Sequence, residues 1–112
     1  MTSEVTYDIR AYITLLPTAQ GGRSRSIMSG YKPSFTFNTI KHYSGELKLI
    51  NKTELRPGQS AEVMIYLLPA TTLKKNLKLN ESFTIVEGNK AIGNGMIIHN
   101  LDKKETELLE HS

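Results

Sequence analysis

Cysteine is absent from this chain of 112 residues, so no disulfide framework, thiolate metal site or cysteine nucleophile is open to it. The absence fits a reducing cytoplasm. Long apolar runs are missing as well, and no stretch approaches the roughly 18 to 20 residues that cross a bilayer. The opening Met1-Thr2-Ser3-Glu4-Val5-Thr6 lacks the basic start and apolar centre of a signal peptide. These absences lead us to expect a soluble, cytoplasmic protein with no membrane partner. Met1 and the polar far end favour a complete small protein.

Motifs that carry chemistry are equally scarce. His42, His99 and His111 are scattered, without metal-ligand spacing and without a partner acid at a helical offset. Nothing fixes a nucleophile to a base. Gly93-Asn94-Gly95 has no third glycine opening a helix behind it, so it is no dinucleotide fingerprint. The Gly88 to Gly95 stretch has no Gly-Lys-Ser or Gly-Lys-Thr ending, so it is no phosphate loop. We expect no catalytic residue, no metal, no cofactor and no GTP bound by this chain.

Charge is present but not one-sided. There are 14 basic and 11 acidic residues, a net charge of +3. Beyond Leu101, Asp102, Glu105, Glu107 and Glu110 face Lys103 and Lys104; setting these aside leaves 12 basic and 7 acidic residues, a net +5 over residues 1–101. Such a balance is compatible with an anionic partner without identifying one, because specific nucleic-acid binders cluster their charge.

What the chain does have is period-two alternation. Tyr7, Ile9, Ala11 and Ile13 share one strand face, and Pro17 with Gly21-Gly22 ends that strand after Leu15 and Leu16. Pro33 opens a strand through Thr39, with Phe35 and Phe37 on one face. Gly45 marks a turn or bulge ahead of Glu46–Ile50. Arg56-Pro57-Gly58-Gln59 is a turn in the type II order, and Ala61–Leu68 follows as the longest apolar-rich strand. Residues 70–80 read as a basic loop with Lys74, Lys75 and Lys78 solvated. Ser82–Val86 and Ala91–Ile98 flank a hairpin turn at Glu87-Gly88-Asn89-Lys90. Short strands without a helical period predict an all-β fold, a closed antiparallel barrel or a sandwich. A chain this long buries a core without disulfide or metal staples. We expect one domain over residues 1–101 and a polar, flexible tail over 102–112.

Four separated motifs carry a resemblance. They are Gly21-Gly22-Arg23; Gly30-Tyr31-Lys32-Pro33 followed by Phe35, Phe37 and Thr39; Gly45 and then Pro57-Gly58 before a long apolar strand; and Phe83 to Gly95. Their order and spacing closely resemble the third, C-terminal β-barrel domain of elongation factor Tu, over roughly Tyr7 to Ile98. The resemblance implies a single closed antiparallel β-barrel. It also implies a domain without a catalytic group, which packs against a GTPase and a second domain and grips the T-stem backbone of aminoacyl-tRNA. On this likeness Arg23, Ser34, Ser44, Glu87 and Gly88 are the candidate RNA-binding residues. Arg23 stands where the family has a basic residue near the RNA, and Glu87 with Gly88 match the hairpin that touches the T-stem. Ser44 replaces a threonine, and Ser34 replaces a glutamine, whose longer reach is lost. Arg25, Tyr31, Lys32 and Lys90 are further candidates for RNA or partner contact.

Plainer readings stand beside these. The glycines serve first as backbone devices, and Phe35 and Phe37 as core rather than base-stacking platforms. Arg23, Arg25, Lys32 and Lys90 form either a basic cluster or ordinary solvated charge. Val63 to Leu68 reads as core; exposure there would mark the face that docks onto a neighbouring domain. Two functions remain open at this point. One is a translation-related module binding tRNA or structured RNA. The other is a protein-interaction module docking a GTPase, an exchange factor, a toxin or a second copy of itself.

Overall fold

The computed structural model describes residues 7–37, 41–68 and 77–101. The expected strand end at Asn38 and Thr39, the loop lysines Lys74 and Lys75, and the tail 102–112 lie outside the described residues.

Alternation becomes burial along the strands that the apolar pattern marks most clearly. In β1, Ile9–Leu15, and β4, Ser60–Leu67, every second residue is buried. The strands β2, Ser34–Thr36, β3, Tyr43–Leu49, β5, Ser82–Glu87, and β6, Lys90–Asn100, complete a closed barrel in the order β1-β4-β3-β2-β5-β6. All its pairings are antiparallel. Closure is made by β1, which pairs on one side with β4 and on the other with β6. It satisfies the backbone groups that an open sheet edge would leave free.

The inward rows form one core that includes Ile9, Ile13, Leu47, Ile65, Ile85 and Ile97. Each such side chain contributes about 1.5–3 kcal/mol of transfer free energy when fully buried. Phe35 and Phe37 lie in that core, 5.9 and 5.3 Å from the Phe83 ring centroid. Val63, Ile65 and Leu67 are buried, while Leu68, just past the strand, is exposed. Leu77 is buried and Lys78 exposed, as the basic-loop reading had it for that lysine.

Gly45 corrects the sequence reading. It is no turn before a strand but lies inside β3, opposite Leu67. A Cβ there would stand 2.6 Å from the Tyr66 carbonyl oxygen and 2.9 Å from Phe35 Cε2. The glycine lets the Phe35 ring lie against the strand. At the other end of β1, Asp8 fixes where the strand starts. Its N–H donates to Ile65 O at 2.8 Å and its Oδ2 accepts from the Leu67 N–H at 2.6 Å.

The barrel therefore has two distinct ends. At one, β1 runs out into Leu16, whose N–H donates to Ile92 O at 2.9 Å, beside the β5–β6 hairpin. At the other, Leu101 N–H donates to Asp8 O at 2.9 Å. The first end, here called the rim, holds most of the candidate residues.

Candidate functional site

The rim begins with a tight double-glycine corner. After Pro17, residues Thr18–Gln20 form one 3-10 turn, closed by Gly21 at φ 90°. Gly22 is buried there, and a Cβ on it would stand 2.1 Å from the Leu16 carbonyl oxygen. Its N–H donates to Pro17 O at 3.0 Å, and the Thr18 hydroxyl donates to Arg23 O at 2.6 Å. Arg23 thus leaves the corner from a backbone pinned on both sides.

Its guanidinium has two neighbours. Nη1 donates to Glu87 Oε2 at 3.1 Å, and Cζ lies 4.9 Å from the centre of the Tyr31 ring. A guanidinium at that distance is attracted by the ring's negative face. Tyr31 is held by its backbone, its carbonyl accepting from the Leu47 N–H at 2.9 Å. Its ring packs against the core. The hydroxyl is buried and makes no hydrogen bond of good geometry, although Arg23 and Glu87 are both close. Burial pushes its pKa up; Arg23 opposes the shift and the Glu87 charge reinforces it.

Glu87 comes from the far side of the sequence. It ends β5, and a two-residue turn of Gly88 and Asn89 connects it to Lys90, its register partner. Gly88 has φ 65°, which suits the first central position of a type II′ hairpin turn. Nothing lies within 4 Å of where its Cβ would be, so the turn's backbone is open to close approach. A register shift between Ile85 and Val86 precedes the turn: Ile85 faces Gly93 and Val86 faces Ala91. Ile92 is the extra residue of this bulge, a device that twists a strand and re-aims the residues next to it.

The two serines continue this surface sideways. Ser34 pairs with Val86 on one flank and with Ser44 on the other. Adjacent strands stand about 4.8 Å apart, so Val86, Ser34 and Ser44 span about 10 Å across three strands. Ser34 is half-buried and Ser44 exposed.

The structure thus brings Arg23, Tyr31 and Glu87 into one contact, with Gly88 and Lys90 in the adjoining turn and Ser34 and Ser44 on the next two strands. Arg25, Lys32 and Lys90 are exposed, and none makes an ion pair among the described residues. The basic cluster weighed for Arg23 with these residues takes a different form, because Arg23 is paired with Glu87. That pair lay hidden in the sequence, since its members stand 64 positions apart. Among the described residues no group of three His, Asp or Glu side chains is placed to hold a metal.

The model of the elongation factor Tu C-terminal domain family matches residues 2–100. The chain belongs to that family. Its closed barrel of six antiparallel strands is the fold of an elongation factor Tu C-terminal domain. Family membership makes the chain a relative of translation-factor barrels that bind rather than catalyse. Among the described residues no helix is long and apolar enough to cross a membrane.

Proposed function

We propose that this elongation factor Tu-type barrel is a non-catalytic, cytoplasmic module of translation that binds tRNA or structured RNA through its rim. The carrying observation is that Ser34 pairs on one flank with Ser44 and on the other with Val86, the residue before Glu87 and the Gly88 turn, so that positions taken from three separate motifs neighbour one another. Their chemistry suits recognition of an A-form helix by shape. A carboxylate accepts from a ribose 2′-hydroxyl, serine hydroxyls and an open glycine turn meet phosphate oxygens, and the wide minor groove of RNA presents both. Glu87 keeps Oε1 without a hydrogen bond among the described residues, while Oε2 is taken by Arg23. With a net +5 over residues 1–101, binding is salt-sensitive and modest.

The test is a fluorescence-anisotropy titration of labelled tRNA and of duplex DNA of the same length, at low and at physiological salt. The reading expects saturable binding that prefers the RNA. Equal affinity for both, or none at low salt, overturns it.

A specific observation favours a second reading, docking of a protein such as a GTPase, an exchange factor, a toxin or another copy of this chain. Tyr12 and Met96 are register partners on β1 and β6 and are 48% and 44% exposed. Light scattering during size-exclusion chromatography separates self-association from a monomer, and Tyr12→Glu should abolish any dimer that uses this face.

A further inference from the structure

We infer that Arg23 is a positioning residue: seated on the Tyr31 ring, it holds the Glu87 carboxylate at the rim and does not itself grip the RNA backbone. This deepens the RNA reading and rests on it.

Four observations converge. The Arg23 side chain is 17% exposed, whereas that of its partner Glu87 is 48% exposed. The carboxylate, not the guanidinium, is the member of the pair that a ligand reaches. A guanidinium that clamps a phosphate presents a fork of two parallel N–H groups. Here Nη1 is committed to Glu87, Nε is buried without a partner, and the flat face is covered by Tyr31. The cation nearest to Glu87 along the chain, Lys90, sits directly opposite it in the turn yet forms no ion pair with it. Arg23 makes the one ion pair to the carboxylate among the described residues, with the Tyr31 hydroxyl close by. Finally, Arg23 is anchored at its backbone by the Thr18 hydroxyl and by a Gly22 that has no room for a side chain. A long side chain fixed at its root and along its face loses little further freedom on binding, and lends that order to the glutamate it holds.

The inference separates two roles that affinity alone confuses. A lost phosphate contact lowers the slope of log K against log salt by about 0.7–0.9. A lost positioning contact weakens binding and leaves the slope unchanged, because the number of phosphates neutralised by a cation stays the same. The experiment measures tRNA binding by anisotropy over a range of salt for wild type, Arg23→Met, Tyr31→Leu and Tyr31→Phe. In parallel, side-chain coupling constants of Glu87 are measured by NMR on the free proteins, whose spectra also report folding. We expect Arg23→Met and Tyr31→Leu to weaken binding about tenfold at an unchanged slope, with Tyr31→Phe close to wild type. The Glu87 couplings should report one rotamer in wild type and Tyr31→Phe, and averaging in Arg23→Met and Tyr31→Leu. A slope lowered by about 0.7–0.9 in Arg23→Met makes Arg23 a phosphate ligand and overturns the inference. Unchanged affinity or unchanged couplings in Arg23→Met overturn it as well. Absence of tRNA binding by the wild type at any salt defeats the RNA reading itself, and the role assigned to Arg23 goes with it. The NMR arm, which uses no RNA, tells that failure from a failure of positioning alone.

Discussion

Arg10–Glu62 and Arg23–Glu87 join the same two residue types across the same barrel, yet their surroundings differ. Arg10 and Glu62 reach across the β1–β4 pairing on the outer wall, with side chains 39% and 42% exposed. Among the described residues no aromatic ring lies under Arg10. Arg23 and Glu87 join a loop to a hairpin, the cation mostly covered and the anion half open. An aromatic ring lies under the cation. The first is a part-buried ion pair whose two members are almost equally open, closer to the surface class, whose median worth is about 0–1 kcal/mol. The second is a built arrangement, in which one partner is fixed so that the other is presented. Identity of residues says little about an ion pair; the asymmetry of its burial says more.

Four experiments break or sharpen that contrast. Removing the ring beneath Arg23 has the largest expected effect. Tyr31→Ala should cost about 2 kcal/mol in urea unfolding, since it deletes a half-buried aromatic that packs on the core. Tyr12→Ala, on the outer wall, should stay within about 0.5 kcal/mol. Next come the anions. Glu87→Ala leaves a largely covered guanidinium without its acceptor and should cost about 1–2 kcal/mol, against about 0–1 kcal/mol for Glu62→Ala. Double-mutant cycles on both pairs should then give a coupling of about 1 kcal/mol for 23 and 87 and about 0.3 kcal/mol for 10 and 62. In 1 M salt, where the screening length is about 3 Å, only the second should vanish. Equal couplings would erase the distinction.

The smallest effect concerns the Tyr31 hydroxyl. Tyr31→Phe keeps the ring and removes a buried group without a good hydrogen bond, so stability at neutral pH should change by less than about 0.5 kcal/mol. The difference emerges in alkali. An unfolded tyrosine ionises near pH ~10, while burial holds folded Tyr31 neutral to higher pH. Its contribution is complete below the unfolded pKa and shrinks as pH rises through the folded one. Melting curves of Tyr31→Phe should therefore fall less steeply above pH ~10 than those of wild type.

The barrel was largely legible because its code is local. Alternation at Ile9, Ala11 and Ile13, the Phe35–Phe37 pair, and a Glu-Gly-Asn-Lys turn each announce themselves within a few residues. Gly45 misled for the same reason. Within its own neighbours a glycine reads as a break, and only the packed Phe35 ring shows that it is a clearance. The candidate site was half legible. The resemblance named Arg23 and Glu87 as two RNA ligands, and nothing within either motif said that one would hold the other. That knowledge needs strand closure and the bulge at Ile92, which depend on contacts distant in sequence. Tyr31 is a candidate contact in the sequence where the phenylalanines read as core, but its use as a seat depends on what crosses above it.

The hydrogen bond from Leu101 to Asp8 has an engineering consequence. The chain enters β1 and leaves β6 at one spot, at the opposite end of β6 from Lys90, the partner of Glu87, and thus about 33 Å away along that strand at roughly 3.3 Å per residue. The barrel is thus a cassette with a single handle. Spliced into an exposed loop of another protein, it would be carried by both strands at one end and would hold its working edge away from the host. Joined there by a short linker, it could be cut open at Pro57-Gly58 without altering a single strand pairing.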